Sequence, residues 1–342
     1  MTTLNLETIP AKFHPSVINR DDFADQELKE KVQAAFANRV PRTLVDNAKD
    51  YVFRMPGLEG YIVKSKRTDA VGQVETPDTH LYRVRKADKI QKLITKYGLG
   101  DHAQVPTKLL YFHNGEWFII AQELQLTDEV PKVNVEAFSG VVDQLRDLPS
   151  FHGRVTRGLT EQGKSITPEQ ARALVIFAYE AGLTDLTNLN LYFTTEGKIG
   201  VIDTEPVKRY FVKLAAESWS GKLLNNKGII KATQACVGLA KLRVNLHDQA
   251  AIEQINKTEH YYLTIVAIKV IAIAAICALA ITFSPAIPLT FAVLSIKIAA
   301  YTKLSMLSLQ VMNLAYVYFQ AHNTKNCEGV GKLGMVEQQG QL

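Results

Sequence analysis

The sequence predicts an α+β fold in two lobes, followed by an α-helical transmembrane hairpin, and three observations lead there. Short β-rich runs crowd the region from Asp50 to Leu124 around one amphipathic helix. Helical patterns dominate from Val135 onward, and an unbroken apolar run, Leu263 to Phe283, is as long as a bilayer crossing. The implied divisions are an N-terminal extension (1–49), a β-rich lobe (50–126), a helix-rich lobe (127–257), the hairpin (258–322) and a polar tail (323–342).

In the first lobe "DYVFRM" and "GYIVKSK" read as strands. Between them and the next strands, "HLYRVRKADKIQKLITKYGL" sets Val84, Ala87, Ile90, Leu93, Ile94 and Tyr97 at helical spacing, with Gly98 as the stop. "TKLLYFHNGEWFIIAQEL" is a hairpin that turns at His113 to Glu116. In the second lobe "VEAFSGVVDQLRDLP" is an amphipathic helix. "SITPEQARALVIFAYEAGL" carries both of its ends: Thr167 as cap, Pro168 in the first turn, Gln170 at the capping-box position and Gly182 as terminator. A second hairpin, "LNLYF" to "KIGVI", delivers the chain to Asp203, and residues 207 to 257 read as helical with weak patterning.

The chain has 342 residues, 47% of them hydrophobic, ample for a real core. Its net charge of +5 comes from scattered Lys and Arg, so a nucleic-acid surface is not expected. Cys236, Cys277 and Cys327 lie far apart, without the spacing of a disulfide framework or a zinc site. No apolar run follows a basic start at the N-terminus, so a cleaved signal peptide is not expected. None of the eight His forms a spaced metal pair, and no Ser sits in a G-x-S-x-G elbow. Trp117 and Trp219 read as core or interface aromatics.

The apolar run contains one charge, Lys269, near enough to its start to snorkel toward headgroups. "SPAIP" then makes a turn, and a second stretch, "LTFAVLSIKIAAYTKLSML", is interrupted by Lys297 and Lys303. Two spans joined so tightly form a hairpin with both ends on one side. Lys257, Lys303 and Lys325 flank its open end while the turn is uncharged, which assigns the large N-terminal part and the tail to the cytosol. Two readings of "QVMNLAYVYFQAHN" stay open, an amphipathic surface helix or a continuation of the second span.

Strand with lysine, helix, hairpin, extended connection, capped helix, D-x-x-x-x-N and a hairpin ending in aspartate: from Asp50 to Glu205 this order resembles the protein-kinase-like fold, including its small-molecule kinase relatives. The resemblance implies ATP and Mg²⁺ as cofactors. It assigns the acceptor-orienting role to Asp185, metal ligation to Asn190 and Asp203, phosphate contact to Lys64, and the nucleotide hinge to "AQEL" with Gln122, Glu123 and Leu124. The departures concern activity. The His-Arg-Asp triplet reads Leu183-Thr184-Asp185, the Asp-Phe-Gly triplet reads Asp203-Thr204-Glu205, and the glycines of "PGLEGYIVK" lie too close to Lys64 for a phosphate loop. The helix after Lys64 has no Glu, Asp88 being the nearest substitute. No activation segment or Ala-Pro-Glu motif follows Asp203.

Two functions follow from the resemblance: a membrane-tethered phosphotransferase acting on an unknown acceptor, or a pseudokinase or adaptor displayed on a membrane. The hairpin in addition resembles in shape the membrane module of inclusion-membrane proteins secreted by intracellular bacteria, which would imply a host-facing effector.

Overall fold

A computed structural model describes residues 9, 11–37, 43–44, 52–65, 77–127, 164–183, 186, 190–204, 227–244, 246, 248–282 and 291–322. The chain divides into two units, Met1–Glu129 with Asn190–Pro206, and Val130–Leu189 with Val207–Leu342. The fold is mixed α+β. The expected helix over 135–149, the "SPAIP" turn, Trp219, Cys327, Lys325 and the polar tail lie outside the described residues.

In the first unit, β1 (Thr43–Leu44), β2 (Val52–Arg54), β3 (Tyr61–Lys64), β5 (Lys108–His113) and β6 (Glu116–Gln122) form an antiparallel sheet in the order β1-β2-β3-β6-β5. Helix α2 (Pro77–Tyr97) is inserted between β3 and β4 (Ala103–Gln104). The β5–β6 hairpin closes with His113 opposite Glu116 around Asn114 and Gly115. Both turn residues have positive φ, +48° and +82°, the two-residue geometry that matches sheet twist and selects Asn-Gly.

Successive side chains of a strand point to opposite faces, and here both faces are covered. Tyr111, Phe118, Ile120, Val63 and Phe53 pack with Leu28, Val32, Ala35 and Phe36 of α1 (Gln26–Ala37). On the other face Leu110, Trp117, Ile119 and Ala121 pack with Leu81 and Val84 of α2 and with Phe13 and Val17. Residues 11–37, expected to belong to an N-terminal extension, thus pack on the sheet, α1 on one face and Phe13 and Val17 on the other. A second, three-stranded sheet orders β4, β8 (Ile199–Val201) and β7 (Leu191–Phe193), with β4 parallel to β8 and β7 antiparallel to it.

The second unit contains α3 (Pro168–Ile176), α4 (Lys227–Val244), α5 (Gln249–Thr282) and α6 (Phe291–His322). The capping box at α3 is formed. Gln170 N–H donates to the Thr167 hydroxyl (3.2 Å) and Thr167 N–H to the Gln170 side-chain oxygen (3.0 Å). A π turn, Phe177–Ala181, extends the helix to Gly182, whose φ of +70° is the left-handed cap; Leu183 N–H reaches back to Phe177 C=O at 3.1 Å.

Among the described residues one helix, α5, is long and apolar enough to cross a membrane, and almost none of its apolar window is buried. Ile268, Ile271, Ile276 and Leu279 are more than half exposed, whereas the core helix of a globular domain would bury such residues. Helix α6 runs unbroken to His322, so the segment after Gln310 continues the second apolar stretch. This continuity also places Lys303 inside the helix and not at the hairpin's open end.

Candidate functional site

Strand β3 ends in Lys64, which is half-buried and pairs with Ile119. Its parity with Ile62, packed beside α2, puts it on the α2 face of the sheet. The opposite end of β3 meets the segment after β6. Glu123 N–H donates to Gly60 C=O (2.8 Å), and Gln122 N–H to Thr107 C=O (2.9 Å). Gln122 is exposed and Leu124 buried. The Glu123 carboxylate accepts from the Arg54 guanidinium through both oxygens, Nε lying 3.1 and 3.2 Å away with Nη2 also in contact. This fork ties β2 to the end of β6.

The chain then runs beside β7. Leu126 bridges to Thr194, Thr127 N–H donates to Phe193 C=O (2.8 Å), and Thr195 N–H to Gln125 C=O (2.9 Å). Leu124 and Leu126 press on Gly200 of β8, where an added Cβ would stand 3.5 Å from each.

The β7–β8 ladder pairs Leu191 with Val201. Ile202 N–H then donates to Asn190 C=O at 3.1 Å, so Asn190 and Asp203 emerge at the same open end of one hairpin. Asp203 is half-buried. The next residue is fixed: Thr204, fully buried, donates its hydroxyl to Arg83 C=O of α2 (2.9 Å) and accepts from Lys108 Nζ (2.8 Å). Lys108, 4% exposed, also donates to Ile202 C=O at 3.1 Å. The strand that leads to Asp203 is thereby anchored to α2 and β5. Sequence reasoning missed Arg83, Thr204 and Lys108. A lysine ahead of "LLYF" looks like an ordinary strand-start residue, and only the β4–β8 pairing brings residue 202 to it.

Asp88 lies on an outer turn of α2 and holds Lys92 at 2.9 Å, an i,i+4 surface pair. Asp185 lies outside the described residues. No group of three His, Cys, Asp or Glu with metal-site geometry occurs among the described residues. Asn190 stands opposite Ile202 in the ladder, with Asp203 the next residue along.

A second polar cluster lies in the other unit, at the base of α5. Glu259, 1% exposed, pairs with Arg243 of α4, whose Nε also donates to Asn256 Oδ1 at 2.9 Å. The Tyr179 hydroxyl donates to Glu259 (3.3 Å) and lies 3.4 Å from Cys236 Sγ. The Tyr179 ring stacks on Tyr262, with centroids 4.7 Å apart, and the Tyr262 hydroxyl donates to Glu180 at 2.8 Å. Burial, reinforced by the Glu259 charge, pushes the Cys236 thiol up to about 12. Burial also drives the Tyr179 hydroxyl far above the ordinary tyrosine range, with Cys236 and Glu259 adding to the effect. Neither group is a nucleophile at neutral pH.

The chain matches no family model, no curated protein and no solved structure.

Proposed function

We propose that the chain is a membrane-anchored kinase-like protein that binds ATP with Mg²⁺ and transfers the terminal phosphate to an acceptor hydroxyl. One observation carries this reading. A five-stranded antiparallel sheet has a helix inserted after the strand that ends in Lys64, and in the same unit a hairpin has Asn190 and Asp203 at its open end, with Thr204 bonded to that helix.

In this reading Asn190 and Asp203 hold the metal, which neutralises charge on the phosphates, and Lys64 contacts the phosphates. The segment from Gln122 to Leu124 borders the base, and Leu124 with Gly200 forms an apolar floor. Asp185 is assigned the acceptor-orienting role by its sequence spacing from Asn190 alone. Helix α5, with α6 antiparallel beside it, anchors the chain with its soluble part on the side that holds ATP, the cytosol.

The same geometry also favours a second reading, an adaptor without catalysis. Asp88 is committed to Lys92, and the Glu123 side chain to Arg54. Calorimetric titration of the full chain in detergent with a non-hydrolysable ATP analogue and Mg²⁺ separates the two. Metal-dependent binding that is lost in Asp203→Ala and Lys64→Ala, both retaining wild-type circular dichroism, supports the nucleotide site. A folded wild-type chain that does not bind the analogue refutes it and leaves the adaptor. A host-facing effector role would require the chain on a membrane other than that of the cell that makes it, which fractionation tests.

A further inference from the structure

The membrane-anchor reading, on which this inference rests, does not say where along α5 and α6 the two membrane surfaces fall. At the base, the Tyr318 hydroxyl lies 3.3 Å from His260 Nε2, so residues 260 and 318 share one height. Around that height Tyr261, Tyr316 and Phe319 are 62 to 64% exposed. Nearer the connection between the helices α6 carries Tyr301, also more than half exposed, between Lys297 and Lys303. Exposed tyrosines collect where one end of the ring meets hydrocarbon and the other meets headgroups.

The separation of the two levels fits a bilayer. From Tyr301 to Tyr318 is about 26 Å of helix, and from Lys297 to Tyr318 about 32 Å; the hydrocarbon core is about 30 Å thick. The exposed large side chains between the levels are aliphatic or Met: Ile268, Ile271, Ile276, Met306, Leu309 and Met312.

Charge follows the same division. After Glu259 the sequence has no carboxylate until Glu328, and the charges between are Lys269, Lys297, Lys303 and Lys325. Cα–Cβ bonds tilt toward the helix N-terminus. Lys269 therefore leans back toward the base, while Lys297 and Lys303, on the antiparallel helix, lean toward the connection. Lys297 and Lys303 thus lean toward the level they adjoin, where an ammonium meets lipid phosphate, whereas Lys269, about 14 Å of helix from His260, sits deep between the two levels.

We infer that the bilayer is the occupant of this apolar surface, with one headgroup layer at His260, Tyr261 and Tyr318 and the other at Tyr301 and Lys297. The hairpin then crosses completely and does not stop at the midplane. The test uses the full chain in phosphatidylcholine vesicles whose acyl chains carry bromine either near the headgroup or near the methyl end. Tyr318→Trp, Leu309→Trp and Tyr301→Trp are compared with the wild type, whose Trp117 and Trp219 set the background.

The expected result is co-flotation of all variants with the vesicles. Leu309→Trp should be quenched at least two-fold more by deep than by shallow bromine, and the two tyrosine replacements the reverse. Deepest quenching at Tyr301→Trp would mean that the connection ends at the midplane, and equal shallow quenching at all three that the helices lie flat. Either overturns the placement while the anchor stands. A chain that does not float with vesicles overturns the anchor itself and the placement with it.

Discussion

Replacing Arg243 with Met should be the most damaging single change at the base of α5. Arg243 is 8% and Glu259 1% exposed at the side chain, so the pair lies almost wholly out of water. Met keeps much of the volume but strips the guanidinium from Glu259 and Asn256. Removing one partner of a buried pair leaves a desolvated charge and costs about 3–5 kcal/mol, against a total stability of about 5–15 kcal/mol for a domain.

Glu259→Leu should cost a similar amount, because it strands the arginine instead. The double variant should recover most of the loss, since two apolar groups can fill the site without an unpaired charge. The assay is guanidinium unfolding of the full chain in detergent, followed by far-ultraviolet circular dichroism across all four chains of the double-mutant cycle. A loss below about 1 kcal/mol for Arg243→Met, or simple additivity in the double variant, would refute the idea that this pair joins α4 to α5.

Stability should also fall at alkaline pH. Cys236 keeps its proton in the folded chain up to about pH 12, whereas the unfolded chain releases it near pH 9. The contribution is therefore complete below pH 9 and is lost as pH rises toward 12, with Tyr179 acting in the same direction. Unfolding midpoints measured from pH 8 to 11 should drop less steeply in Cys236→Ala than in the wild type. At α3, Thr167→Ala breaks the capping box and should cost about 1 kcal/mol by the same unfolding measurement. Gly182→Ala should cost about 1–2 kcal/mol, because its φ of +70° strains any residue with a Cβ.

Local chemistry explains which features were legible in the sequence. Thr167, Gln170 and Gly182 announce α3 because a cap is decided within four residues, and Asn114-Gly115 announces its hairpin because the turn type demands positive φ. The apolar face of α2 showed as periodicity, and buried Val84, Ala87, Ile90 and Leu93 carry it. What depends on distant partners did not show. Strand β4 is two residues long and exists through its pairing with Ile199 and Gly200. The bond from Thr204 to Arg83 joins residues 121 apart in the chain. The candidate site was legible as spacing, in Asn190 and Asp203, but the bonds that fix its backbone were not. The apolar run of α5 was plain from composition, whereas its start at Gln249, below the apolar part, follows from packing among α3, α4 and α5.

The two-sided burial of β6 has a practical consequence. Its side chains from Trp117 to Ala121 serve opposite layers in turn, so the sheet has no solvent face to spare. A shortened chain beginning at Asp50, where the first recognisable strand starts, would lose α1 and lay bare Phe53, Tyr111, Phe118 and Ile120 together. A contiguous aromatic and aliphatic patch of that kind seeks another copy of itself. Trimming the N-terminus would therefore turn a folded unit into a self-associating one, and any binding study on such a fragment would measure aggregation first.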